Sequence, residues 1–298
     1  MLMIMKMLRG ALVIAALLVL EARVATRQPG VAFTCEAPSG LTRVADLPEG
    51  SGLAASRRTP GRFWSHNDSG VAVLVALDAT GKVAGRVQVT GASVGDWEAL
   101  AVGSCPGGSC LYIGDIGDND AERKRVTVYR VPEPAQTAGS VSVTGVFHAT
   151  YPDGAHDAES LLVSADGRLH IVTKGETGPI SLYRFPEALR GGEAMRLERV
   201  AELRRGPAGK NDRITDGSVS QDGQWVVLRT TQALTFYRSA EFFAGEWRAA
   251  GQHALEGLGE PQGEGVAFGS DNAVYLAGEG GGKKQPGTFA RLSCTAGR

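Results

Sequence analysis

The chain has 298 residues, with 31 Lys or Arg against 32 Asp or Glu and a formal charge of −1. Its basic residues are scattered, which excludes the concentrated positive field that nucleic-acid binding needs. Glycine, at 41 residues, is about twice its usual share while the apolar fraction is normal, so the composition describes a turn-rich globular chain rather than a disordered one.

From the start of the chain, Lys6 and Arg9 precede the apolar run Ala11 to Leu20. That is the order of a secretory signal, and the run is too short to span a bilayer comfortably. Residues 1–25 are therefore read as a signal peptide. Glu21 and Arg23 leave cleavage after Ala22 or Ala25 unassigned, and a retained N-terminal anchor is the alternative. Export to the periplasm or the extracellular space is the expectation, with residues 32–298 as one folded domain and no further membrane-crossing segment.

The rest of the chain repeats. Short apolar segments begin SGLAA at Ser51, EALAV at Glu98, ESLLV at Glu159, TDGSV at Thr215 and EGVAF at Glu264, at steps of 47, 61, 56 and 49 residues. A four-stranded propeller blade takes ~40 to 50 residues. Each copy is followed by a turn and a second apolar run: RFWSHND from Arg62, LYIGDIGDN from Leu111, LHIVTKGE from Leu169, WVVLRTT from Trp225 and AVYLAGEG from Ala273. Asp78 to Gly81, Ala165 to Gly167, Gln221 to Gly223 and Ser270 to Asn272 lie between apolar runs, where such pairs make hairpin turns. VTVYRVPE from Val126, ISLYRFPE from Ile180 and ALTFYRS from Ala233 read as outer strands, and Ser239 to Ala250 as a short connecting turn or helix. LTRVADL from Leu41 resembles LERVAEL from Leu197, the last strand of its blade, so the N-terminal strand is expected to complete the final blade and hide its edge. The expected fold is an all-β propeller of five four-stranded blades. Six is the alternative if Pro132 to Asp153 hides a degenerate blade, although the step there is short for two.

Four cysteines in an exported chain suggest two disulfides, with three possible connectivities. Cys105 and Cys110 enclose only a tight turn and are expected to pair. That leaves Cys35 and Cys294, which a closed ring brings together.

A propeller sets equivalent positions around one channel. The starts of inner strands and the ends of their neighbours share one rim. That rim collects Asp96, Glu98, Asp157, Glu159, Asp216 and Glu264, with His66, Asn67, Asp68, Asp115, Asp118, Asn119, Lys174, Glu176 and Glu279. So many carboxylates repel one another unless a cation sits among them or some are protonated. Calcium, with ~6 to 8 oxygen ligands and tolerance of irregular geometry, is the expected cation, with Glu98, Glu159, Glu264, Asp115 and Asp118 as ligands. The competing reading has these acids capping turns and pairing with Lys174, Arg213 or Arg229.

The motifs WEALAVG with LYIGDIGDN, and GEGVAF with VYLAGEG, resemble those of the calcium-dependent propeller hydrolases, which include gluconolactonase-like and phosphotriesterase-like families; the acid-rich rim also resembles that of propeller phytases. HNDSG, DWEAL, GDIGDN, YPDGAHDAE and QGEGVAF are similar to motifs of a set of secreted bacterial propeller proteins. The likeness covers nearly the whole chain after residue 40. From the hydrolases it implies that Glu98, Glu159 or Glu264 ligates metal at the channel rim, although the asparagine ligands of those families are mostly absent here.

Gly91 to Gly95 fits G-x-S-x-G, but a strand follows where a nucleophile elbow needs a helix, so it reads as a loop. His66 and His156 are expected on the rim, where either imidazole could take a proton from metal-bound water. Lys174 and Asn119 are the candidate substrate contacts. Two function classes result: a metal-dependent hydrolase of phosphoesters or lactones, or a non-catalytic extracytoplasmic module binding a small molecule or surface ligand at the channel mouth, monomeric in either case.

Overall fold

The computed structural model describes residues 33–36, 40–271, 273–282 and 284–296. The signal peptide expected over residues 1–25 lies outside them. Five antiparallel sheets follow one another as the blades of a propeller. The inner strands are Gly50–Ala55, Trp97–Cys105, Ala158–Val163, Ile214–Val219 and Gln262–Phe268. Each holds one copy of the repeat. The second strands are Arg62–Asn67, Gly108–Asp115, Leu169–Thr173, Trp225–Thr230 and Val274–Glu279.

Val126–Pro132, Ile180–Arg184 and Ala233–Arg238, expected as outer strands, are third in their blades. The fourth are Gly145–Thr150, Glu198–Arg204 and Ala249–Ala254, and in blade 2 the short Met195–Arg196 adds in parallel outside Gly145–Thr150 as a fifth. An outer strand faces solvent, so a segment such as Glu198–Arg204 contains no fully buried residue and carries little apolar signature. The stretch after Pro132 supplies the fourth strand of blade 2. It also supplies Ser140–Ser142, which adds in parallel to the edge of blade 1. No sixth blade forms there.

The hairpin chemistry explains the turns. Asp166 accepts from Ser164 Oγ and Asp222 from Ser220 Oγ, both at 2.5 Å, and Asp222 also takes the Gln224 N–H. Gly167 then takes φ +83°, a conformation costly for a side chain with Cβ. The short helix is Ser239–Phe243.

Closure follows the expected route. Thr42–Val44 pairs antiparallel with Gly287–Leu292 of blade 5. Outside it, Phe33–Cys35 pairs with Cys294–Ala296, and the Cys35–Cys294 disulfide joins the two ends at a Cα separation of 4.0 Å. Cys105 and Cys110 form the second disulfide. The core lies mainly between neighbouring blades: Trp64 and Leu74 of blade 1, for example, pack with Leu100 and Ile113 of blade 2. Each such buried side chain contributes ~1.5–3 kcal/mol.

Leu53, Leu100, Leu161, Gly217 and Phe268, one from each inner strand, line the central channel and leave about 20 Å³, roughly the space of one water. The channel is narrow at this level, and the acidic end beyond it is here termed the cup.

Candidate functional site

Every inner strand is bulged, and in blades 2 to 5 the bulge carries a polar side chain at the acidic end. Pairing skips from Trp97 to Ala99, from Ala158 to Ser160, from Ile214 to Asp216 and from Gly263 to Val266. The residues left out of register are Glu98, Glu159, Thr215, and Glu264 with Gly265. An unpaired bulge residue is free to turn from the ladder, which is how bulges re-aim side chains. In blade 1 the skipped residue is Gly52, at φ +68°, where a Cβ would come within 2.7 Å of the Leu100 amide nitrogen. Only glycine lets blade 1 approach blade 2 so closely.

Where the repeat lacks an acid, the substitute bonds to the next blade's acid. Ser51 Oγ donates to the Glu98 carbonyl and to Glu98 Oε2, both at 2.9 Å, and Thr215 Oγ1 donates to the Glu264 carbonyl at 3.2 Å. Glu98, Glu159 and Glu264 are all buried. Burial, then repulsion from Glu159, Asp96 and Glu264, holds the Glu98 carboxyl well above its usual range. Burial and Glu159 do the same to Glu264, against a hydrogen bond from Gln262. Glu159 is raised to about 7 by burial, with Lys174 opposing. Glu279 is raised to about 7 by burial and then by Asp68 and Glu49.

Lys174 is the cation among them. Its Nζ meets Glu159, Asp157 Oδ2 at 3.3 Å and Glu176 Oε2 at 3.6 Å, and donates to Asn119 Oδ1 at 3.3 Å. Burial alone would lower this ammonium, but Glu159 and Asp157 outweigh it and raise it. The structure therefore places Lys174 and Asn119 together, with Lys174 spent on internal ion pairs. On the far side, Gln262 Nε2 donates to Glu264 Oε1 at 2.8 Å, while Glu264 Oε2 is buried without a partner.

The other candidates are placed differently. Asp115 accepts the Gly95 and Asp96 N–H groups and pairs with Arg123 at 2.7 Å. Asp118 accepts the N–H groups of Glu122 and Arg123. Their oxygens cap loops. His66 is fully buried, edge-on to Trp97, and burial lowers it to about 4. His156 bonds to Asp153 at 3.2 Å and to the Tyr183 hydroxyl at 3.0 Å; Asp153 in turn pairs with Arg199 of the outer strand of blade 3. Neither imidazole has a hydrogen bond or ion pair to the three glutamates. Among the described residues, no group of three or more His, Cys, Asp or Glu side chains has a geometry ready to hold a metal.

No sequence signal marked Arg123 or Glu260, and Gln262 stood only as the first residue of QGEGVAF, with no role. Glu260 pairs with the fully buried Arg229, whose Nη1 also donates to the carbonyls of Gly265 and Ala277 at 2.7 and 2.8 Å. This arginine, named from the sequence only as a possible counter-ion to the rim, ties blade 4 to blade 5 beneath the cup.

No protein-family description and no curated protein matches the chain. Solved structures do. A PQQ-bound aldose sugar dehydrogenase from Streptomyces coelicolor is 14% identical with a TM-score of 0.53, over 90% of this chain and 100% of that one. A gluconolactonase from Xanthomonas campestris is 13% identical with a TM-score of 0.45, over 89% and 98%. A calcium-binding regucalcin from Agrobacterium tumefaciens is 15% identical with a TM-score of 0.43, over 88% and 96%. At these identities the likeness is one of fold. The protein is a five-bladed propeller, and its similarity to the Streptomyces dehydrogenase is a distant one of structure.

Proposed function

We propose that this protein is an extracytoplasmic binding propeller whose cup takes a cation, of the calcium class, between Glu98, Glu159 and Glu264. The supporting observation is the unpartnered Oε2 of Glu264, buried where the three carboxylates repel one another and where Lys174 makes its direct ion pair with Glu159. Hard carboxylate oxygens suit calcium. Asp115 and Asp118, engaged in their loops, are not among the proposed ligands. Export rests on the basic-then-apolar start of the chain and on two disulfides. No helix among the described residues is long and apolar enough to cross a membrane.

A hydrolytic reading has one observation in its favour. Glu159 and Glu279 are raised to about 7, where a carboxylate serves as a base at neutral pH. Calorimetric titration with calcium, with a chromogenic ester, lactone and phosphoester panel run with and without chelator, tests both. We expect binding in the wild type and its loss, together with calcium-dependent thermal stabilisation, in Glu98→Gln/Glu159→Gln/Glu264→Gln. Full calcium stabilisation in the triple variant would show that these glutamates are not the site. Chelator-sensitive turnover in the panel would move the conclusion from binding module to hydrolase.

A further inference from the structure

Beside the glutamates, between blades 3, 4 and 5, opens a cavity of about 390 Å³. That is within the ~300–1000 Å³ range of small-molecule sites. Its lining carries both charges. Lys174, Lys210 and Arg213 line it together with Glu159, Glu260 and Glu264, and Lys174 is already paired with Glu159. Three of the residues lining it carry a buried polar atom without a hydrogen-bond partner: Arg213 Nε, Thr231 Oγ1 and Glu264 Oε2. Buried polar groups are nearly always paired, so three such atoms around one cavity point to a ligand.

The unpaired atoms indicate its chemistry. Arg213 Nη1 is held by Glu176 Oε1 at 2.7 Å, which leaves Nε on the side-on edge of the guanidinium, the edge that engages a carboxylate with two parallel N–H bonds. Lys210, exposed on the short turn Lys210–Asp212, adds a second positive charge at the cavity. Among the acids of the lining, Glu264 Oε2 has no partner; a carboxylate oxygen only accepts when ionised, and an ammonium only donates. We propose that the cavity binds a small zwitterion, a free α-amino acid, with its carboxylate on Arg213 and Lys210 and its ammonium on Glu264 and Glu159. Thr231 and Gln262 then face its polar remainder. The proposal deepens the cation-binding reading, because the ammonium uses two of the same glutamates, and so calcium and the amino acid should compete.

The test is ligand-observed NMR and calorimetry on the whole protein with L-serine and L-glutamine, against N-acetyl-L-serine, which lacks the ammonium, and L-serinamide, which lacks the carboxylate. We expect the free amino acids to bind and each blocked derivative to bind at least ~10-fold more weakly, since each loses one charge-assisted contact. Arg213→Gln should weaken serine binding by a similar factor while leaving calcium affinity within about twofold. Lys210→Met, on an exposed turn where folding is not at risk, should weaken serine severalfold. Absence of binding by both amino acids, equal binding of the blocked derivatives, or wild-type affinity in both variants would overturn the proposal. Calcium binding without amino-acid binding would sink this inference alone; absence of both would sink the cation site as well.

Discussion

Replacing Lys174 by methionine keeps the length of the side chain and removes the ammonium from among Glu159, Asp157 and Glu176. At an effective dielectric of ~20, the Coulomb attraction to Asp157 at 3.3 Å is about 5 kcal/mol, and that to Glu176 at 3.6 Å is similar. The lysine side chain is only 16% exposed, so desolvation offsets much of this gross attraction. Removing one partner still strands the buried carboxylates, a change that destabilises by about 3–5 kcal/mol. The sign of its pH dependence follows from Glu159. Its folded-state pKa of about 7 lies above the ordinary 4.5, so the folded protein holds this proton more tightly than the unfolded chain does, and stability falls as pH rises from 4.5 through 7. Without Lys174 the carboxylates lose their counter-charge and that fall steepens. In metal-free urea unfolding, Lys174→Met should be less stable than wild type at pH 5, through its pairs with Asp157 and Glu176, and by a larger margin of about 3–5 kcal/mol at pH 8. A loss below about 1 kcal/mol at pH 8, or an equal loss at both pH values, would refute the role of Lys174 as the internal counter-ion.

His66 is lowered to about 4 by burial, so stability is full above about 6.5 and declines as pH falls towards 4, where the unfolded chain gains the proton first. Its imidazole resonances should titrate with a midpoint near 4 in NMR, and a midpoint at or above 6 would contradict the burial. The Cys35–Cys294 disulfide closes a loop with a sequence separation of 259, and loop entropy puts its stabilisation at about 5 kcal/mol. Cys35→Ser/Cys294→Ser should therefore lower Tm strongly, whereas an unchanged Tm would mean that the strands Phe33–Cys35 and Thr42–Val44 close the ring without covalent help.

Much of the architecture is written in local pattern. Alternating apolar runs, Asp-Gly turns and a step near fifty residues define each blade by itself, because a blade is built from consecutive strands joined by short hairpins. The likeness of Leu41 to Leu47 with Leu197 to Leu203 placed the N-terminal strand on the rim of the last blade, since both segments do the same half-exposed work. Other outer strands were harder to read: Glu198–Arg204 was found only through that likeness, and Ala249–Ala254 faces solvent and contains no fully buried residue. Glu98, Glu159 and Glu264 were legible as a set from their repeat position alone, and the bulges turn that position into the cup. What each acid does there was decided by tertiary structure. Asp115 and Asp118 share the rim motif, yet close contact with Arg123 and local amides occupies them, and nothing in GDIGDN distinguishes a capping carboxylate from a free one. His66 and His156 likewise depend on which neighbour fills the space beside them: Trp97 from the next blade in one case, Tyr183 and Asp153 in the other. A repeat specifies where a side chain begins on the backbone; the packing of one blade on the next specifies its partner, its burial and hence its charge.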